Sequence, residues 1–211
     1  MAHEEVQEID VKHFWLRRIH SLLGVIPVSF FLLEHMGSNA FILKGPEAYN
    51  GVIAFLRSIP YLVPIEVTVI GLPIAYHAIY GIYITLTSQP NVRSYNYLRN
   101  WMYFLQRVSG IIALVFIAYH VWEFRISSEI YGFEVTYEAV SKAMRNPLNF
   151  CFYVVGMAGT MFHFGNGLWL FGITWGITVG PKSQKVSGWI SALAALALFW
   201  IGIQAIWTVA R

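Results

Sequence analysis

The sequence predicts an all-α integral membrane protein with five transmembrane helices, four of them forming a bundle and the fifth lying at its periphery. Three observations predict it. Of 211 residues, 57% are hydrophobic and only 12% are charged, about half the charge of an average soluble domain. Five apolar runs, at about 14–38, 62–87, 100–125, 148–178 and 187–209, each reach the roughly 20 residues that a helix needs to cross the hydrocarbon core. Four of those runs hold one histidine in their apolar interior, His35, His77, His120 and His163, and the fifth holds none.

The connections follow from turn chemistry. Asn39 to Tyr61 contains Lys44-Gly45-Pro46, Ser88 to Asn100 contains Gln89-Pro90-Asn91, Ile126 to Pro147 ends in Asn146-Pro147, and Gly180 to Val186 opens on Gly180-Pro181; such pairs punctuate helices. A single transmembrane domain is expected over 1–211. The first residues, Met1 to Lys12, are polar and acidic, unlike the basic and then apolar start of a secretory leader, so no cleaved leader is expected. Lys12, Arg17, Arg18, Arg93, Arg99, Arg107, Lys182 and Lys185 fall on one side of the membrane, against Lys44, Arg57, Arg125, Lys142, Arg145 and Arg211 on the other. That excess puts the N-terminus in the cytoplasm and the C-terminus outside. The net charge of +3 is spread over both ends, which gives no support to nucleic-acid binding.

The four histidines carry the chemistry. An imidazole in lipid is costly without a partner, and four on four helices suit two metal centres held between helix pairs. At 1.5 Å per residue, His35 and His120 lie about 20–22 Å along their outward-running helices and share an outer depth. By the same rise, His77 and His163 lie about 16–21 Å along inward-running helices and share an inner one. The expected pairs are therefore His35 with His120 and His77 with His163, and the natural occupants are two haems stacked across the membrane. The single cysteine, Cys151, leaves no Cys-x-x-Cys-His attachment motif, so both haems would be b-type, held by axial ligands alone. Cys151 itself reads as inert filler of the interior.

Residues that share the histidine faces fill in the site. Gly156, Gly159 and Gly167 line the face of His163, Gly81 that of His77, Gly24 that of His35, and Ser109 that of His120. These small residues either let a flat macrocycle approach the backbone or let helices pack closely. Arg17, Arg18, His20, Ser21, Arg107 and Ser109 either hold haem propionates through charge-assisted hydrogen bonds or, for the basic ones, snorkel to headgroups. His3 and His13 read as solvated. Pro27 and Pro73 each remove one backbone bond inside a span, and neighbouring groups must satisfy the freed carbonyl. Glu66, eleven residues before His77, and Glu123, one turn beyond His120, are expected at the outer depth, as proton donors to a reducible substrate or as interfacial acids. Glu34, beside His35, points about 100° away and is the weaker candidate.

These residues also carry a resemblance. Arg17-Arg18-Ile19-His20-Ser21-Leu22-Leu23-Gly24, Arg99-Asn100-Trp101, Leu105-Gln106-Arg107-Val108-Ser109-Gly110, His120-Val121-Trp122-Glu123 and Phe162-His163-Phe164-Gly165-Asn166-Gly167-Leu168-Trp169, set on five spans with four histidines, resemble the dihaem cytochrome b558 membrane anchor of bacterial succinate dehydrogenases and fumarate reductases. The resemblance covers nearly the whole chain. It implies His35 and His120 as ligands of a distal haem and His77 and His163 of a proximal one. It also implies a flavoprotein and an iron–sulfur subunit docked on the cytoplasmic face of a bacterial cytoplasmic membrane, with menaquinone as acceptor. In some dihaem fumarate reductases a glutamate stands two residues before the fourth ligand and is proposed to carry protons; Met161 stands here, which favours uncompensated charge movement. Two rivals remain at this stage, a dihaem b subunit of another quinone-linked dehydrogenase and a transporter using intramembrane His and Glu as a proton or metal relay.

Overall fold

The computed structural model describes residues 2–211, with side chains described from Val11 onward, so His3 and the acids Glu4, Glu5, Glu8 and Asp10 lie outside the described side chains. Five helices are long and apolar enough to cross a membrane, Val11–Lys44, Leu62–Thr87, Leu98–Tyr131, Pro147–Thr174 and Pro181–Ala210. The first span is α1 (Ala2–Val25), α2 (Pro27–Asn39) and a 3-10 turn, Ala40–Lys44. It breaks at Ile26 because Pro27 cannot donate to the preceding turn, and the Ser29 hydroxyl there donates 3.0 Å to the Gly24 carbonyl.

The loop after the first span is not irregular, as the sequence suggests, but forms α3 (Pro46–Arg57). The second span is α4 (Leu62–Ile65), a π-helical segment (Glu66–Gly71) and α5 (Leu72–Thr87). The third is α6 (Leu98–His120), a second π-helical segment (Val121–Ile126) and α7 (Ser127–Tyr131), and it ends six residues beyond the apolar run from 100 to 125. The loop after it forms α8 (Tyr137–Met144), with the Thr136 hydroxyl accepting from the Ala139 N–H. The fourth span, α9 (Pro147–Thr174), starts where the Asn146 side chain accepts from the Leu148 and Asn149 N–H groups. It stops short of 178 because Gly176 turns left-handed at φ 70°, the usual way for glycine to end a helix. The fifth, α10 (Pro181–Ala210), begins six residues before the expected 187, with Pro181 at its first turn, where a missing N–H costs nothing.

α9 is the axis of the molecule. It packs on α6 along one side and on α10 along another, while α1 rests on α5 and touches α9. α10 meets α9, α2 and α8, so it buttresses the first and fourth spans from outside. α3 and α8 fold over one end: Tyr49 and Met144 are buried there, Asn50 Oδ1 accepts from the Tyr137 N–H at 2.8 Å, and the Ser141 hydroxyl donates 2.7 Å to Val209 O. The rest of the surface is apolar, with Phe30, Ile79, Leu86, Leu148 and Trp200 all at least 65% exposed, as lipid contact requires. Burial pushes the Tyr49 phenol, under the α3 cap, up to about 12.

Two glycines let α9 and α6 touch. A Cβ on Gly156 would stand 2.2 Å from the Phe116 ring, and one on Gly159 2.5 Å from Ile112. Gly37, by contrast, has nothing within 4 Å of that position. Gly156→Ala should therefore destabilise the assembled, detergent-solubilised protein by about 1–3 kcal/mol through overpacking. Gly37→Ala should leave it unchanged or gain about 0.5–1 kcal/mol from helix propensity, a contrast that thermal unfolding of the two variants reads directly.

Candidate functional site

The rings of His77, on α5, and His163, on α9, lie 6.0 Å apart between centroids and stand at 87° to each other. Each places one nitrogen on a helix carbonyl: His77 Nδ1–H donates 2.8 Å to His20 O, and His163 Nδ1–H donates 3.0 Å to Gln106 O. A neutral imidazole has one N–H, so committing it at Nδ1 leaves the Nε2 lone pair as the available ligand atom. His20 stacks on His77 at 4.0 Å and 8°. Gly24 makes that approach possible, since a Cβ there would lie 2.3 Å from His77 Cε1, and Gly110 does the same for His163 at 2.9 Å.

His35, on α2, and His120, at the end of α6, lie 5.5 Å apart at 77°. His120 Nδ1 is 3.1 Å from the Tyr153 hydroxyl, which donates 2.5 Å to Glu123 Oε2. Tyr119 O–H and Asn149 Nδ2 donate to Glu123 Oε1 at 3.1 and 2.9 Å. Asn39 Nδ2 donates 2.8 Å to the His35 carbonyl and stands 3.4–3.5 Å from both nitrogens of its ring. The rings of Phe31, Phe116 and Phe124 flank this pair.

The donor set fits a haem. No group of three or more His, Cys, Asp or Glu that could hold a metal forms among the described residues, so each pair offers two imidazoles and nothing more. A zinc site takes three or four protein ligands, whereas a haem brings its own equatorial nitrogens and asks the protein only for axial donors. Beside the inner pair, His20 Nδ1, Tyr80 Oη and Arg107 Nε are buried without a partner among the described residues. Those three suit an acidic group that approaches from between the helices.

The remaining expected residues fall into different roles. Arg18 lies over the Phe14 and Trp175 rings at 5.0 and 4.9 Å, and Ser21 Oγ accepts from Trp175 Nε1 at 3.3 Å. Arg107 donates 2.6 Å to Tyr103 O and covers the Tyr103 ring, while Arg17 is exposed. Ser109 is buried, donates 3.2 Å to Gln106 O and stands 3.5 Å from His163 Nδ1. Among the glycines, the space beside Gly24 holds the His77 ring, that beside Gly81 approaches His20, and Gly156 and Gly159 face Phe116 and Ile112. His13 stacks on Tyr83 at 6.0 Å rather than standing in solvent, and Cys151 is exposed rather than interior filler. Met161 is buried in a cluster with Met36 and Ala195.

Glu66 departs from the expected register. A π segment fits one extra residue into its turn and so rotates what precedes it by about 100°. The segment Glu66–Gly71 therefore turns Glu66 off the His77 face and onto Arg125 of the facing π segment, with Nε and Nη2 donating at 2.9 and 2.7 Å. Arg125 also pairs with Glu129. Glu34 accepts from Ser38 on its own helix. Sequence reasoning passed over Tyr153, Gln106, Gly110 and Asn39, because none is a metal ligand and each matters only through what it holds.

Comparison with known proteins agrees with this architecture. Residues 87–203 match the family described as succinate dehydrogenase/fumarate reductase transmembrane subunit. The succinate dehydrogenase cytochrome b558 subunit of Bacillus subtilis (strain 168) is 46% identical over 195 residues, covering 92% of this chain and 96% of that protein.

The Glu66–Arg125 clamp joins the two π segments and should be measurable. In a double-mutant cycle on the solubilised protein, Glu66→Gln and Arg125→Gln should be non-additive by about 0.5–3 kcal/mol. Simple additivity of the two losses would show the ion pair to be energetically idle.

Proposed function

The chain belongs to the succinate dehydrogenase/fumarate reductase transmembrane subunit family, and from that premise we propose that it is the dihaem anchor of a succinate:menaquinone oxidoreductase. One observation carries the reading: two perpendicular imidazole pairs, at two levels of the bundle, each drawn from facing helices. His35 and His120 would hold one haem b and His77 and His163 the other. Bound there, the two haems would supply a one-electron relay between an iron–sulfur subunit and quinone.

The chain's own residues set the conditions. His20 O and Gln106 O fix the inner rings by accepting their Nδ1–H groups, so Nε2 faces the cofactor in a fixed tautomer. Arg17, Arg18, His20, Ser21, Arg107 and Ser109 lie toward the uncapped end and suit the propionates. That end carries the basic loops 88–100 and 180–186, which contain no acid; we assign it to the cytoplasm, where a flavoprotein and an iron–sulfur subunit that oxidise succinate would dock. Menaquinone reduction is assigned to the capped end, with Glu66 as proton donor held against Arg125, and Glu123 supporting the site. The protein would sit as a multi-pass subunit of a bacterial cytoplasmic membrane, N-terminus inward, as a single domain over 1–211.

Reduced-minus-oxidised spectra with haem quantification test the ligands. Alanine variants of His35 and His120 should lose one spectral component, and those of His77 and His163 the other, with weaker assembly because a bound cofactor stabilises the fold. A purified protein without a Soret band would overturn the haem reading and favour the relay transporter. The donor assignment has its own check: Glu66→Gln should keep both haems yet reduce menaquinone at least tenfold more slowly. Arg125→Gln, which retains the carboxylate, should lose less. Equal turnover in a fully loaded Glu66→Gln complex would remove Glu66 from the chemistry.

A further inference from the structure

The two histidine pairs are fixed by different means. His77 and His163 give their Nδ1–H groups to backbone carbonyls, which helix geometry positions whatever the side chains are. His120 instead meets a side chain, the Tyr153 hydroxyl at 3.1 Å. Tyr153 comes from the second turn of α9, which runs alongside α6, and is only 5% exposed. Its neighbours explain its orientation, because the Phe116 and Phe152 rings meet it nearly edge-on at 89° and 71°.

The hydroxyl has one proton, and that proton is already placed. It lies on the 2.5 Å contact to Glu123 Oε2. Glu123 takes two further donors at Oε1, from Tyr119 and Asn149, and three converging donors are what an ionised carboxylate accepts. The Tyr153 oxygen is left to accept, so the His120 proton resides on Nδ1 and the Nε2 lone pair points to the cofactor.

We propose that Tyr153 is a positioning residue for His120, linking its imidazole to the Glu123 carboxylate so that His120 is the more strongly donating ligand of the outer pair. This rests on the ligand reading given above. A carboxylate-backed chain raises the basicity of a ligating histidine, and a more basic ligand favours ferric over ferrous iron. Among the described residues His35 has no such chain: its neighbour Asn39 is an amide, whose Nδ2 donates to the His35 carbonyl. In this arrangement Glu123 Oε2 holds Tyr153, which makes Glu123 an anchor for the ligand in addition to its place beside the quinone site.

The experiment is Tyr153→Phe in the assembled complex, read by haem content, by redox titration of each spectral component and by the low-spin EPR signature. Both haems should be retained. The component lost in His120→Ala should rise in potential, a tenfold loss of ferric preference corresponding to about 59 mV, with a changed EPR signature. The component lost in His77→Ala should not move. An unshifted outer component, or an equal shift in both, would overturn the proposal. Should Tyr153→Phe fail to assemble, Glu123→Gln keeps the tyrosine and must raise the same component; no shift there would equally overturn it. Failure of the ligand reading looks different, because His120→Ala would then retain both components whatever Tyr153 does.

Discussion

The constraint on which the rest of this structure depends is that a histidine within the membrane must find a partner for its N–H. Water is not available there to satisfy it, and an orphaned polar group costs several kcal/mol in hydrocarbon. For His77, His163 and His120 the demand is met by the neighbouring helix: α1 supplies His20 O to α5, α6 supplies Gln106 O to α9, and α9 supplies Tyr153 to α6. Each bond ties together two spans, and other polar contacts join the same helices: Tyr76 O–H donates to Leu16 O between α5 and α1, and Asn166 Nδ2 donates to Met102 O between α9 and α6. The histidine bonds decide which nitrogen remains free, so the interaction that holds the bundle also prepares its chemistry.

Close approach is the second requirement, and glycine meets it. His77 lies against the backbone of α1 only because residue 24 has no Cβ, and His163 lies against α6 only because residue 110 has none. From the sequence, Gly24 reads as room for a macrocycle or for a neighbouring helix, and the helix face alone cannot say which neighbour takes the space. The partner was an imidazole. Gly156 and Gly159 look the same in sequence and meet apolar side chains instead, which places them with the ordinary small residues of membrane helix contacts.

The spans and the two histidine levels were legible because both rest on regular quantities, the thickness of the hydrocarbon core and the rise of an α-helix. What was not legible breaks that regularity. Two π segments, Glu66–Gly71 and Val121–Ile126, follow no hydrophobic period of their own, and each contains one of the two acids. Glu66 is thereby carried to Arg125, a residue that the sequence offers only as a charge near a helix end. The helices α3 and α8, within loops marked by turn residues, were likewise set by contacts across the chain. Tyr153 stood among twelve tyrosines with nothing local to distinguish it.

The two levels also differ in how readily substitution can alter them. At the inner level the acceptors of the histidine N–H groups are carbonyls of residues 20 and 106, and changing either side chain leaves the acceptor in place as long as the helix persists. At the outer level the acceptor is a tyrosine hydroxyl, held by a glutamate that is itself held by an asparagine and a second tyrosine. Every link there is a side chain, so a single substitution can loosen the ring without disturbing the backbone. The π segment that follows His120 contributes to this, since it starts at the next residue and sets the position from which Glu123 reaches Tyr153. The inner level is thus a property of the fold, whereas the outer level is a property of particular residues placed upon it.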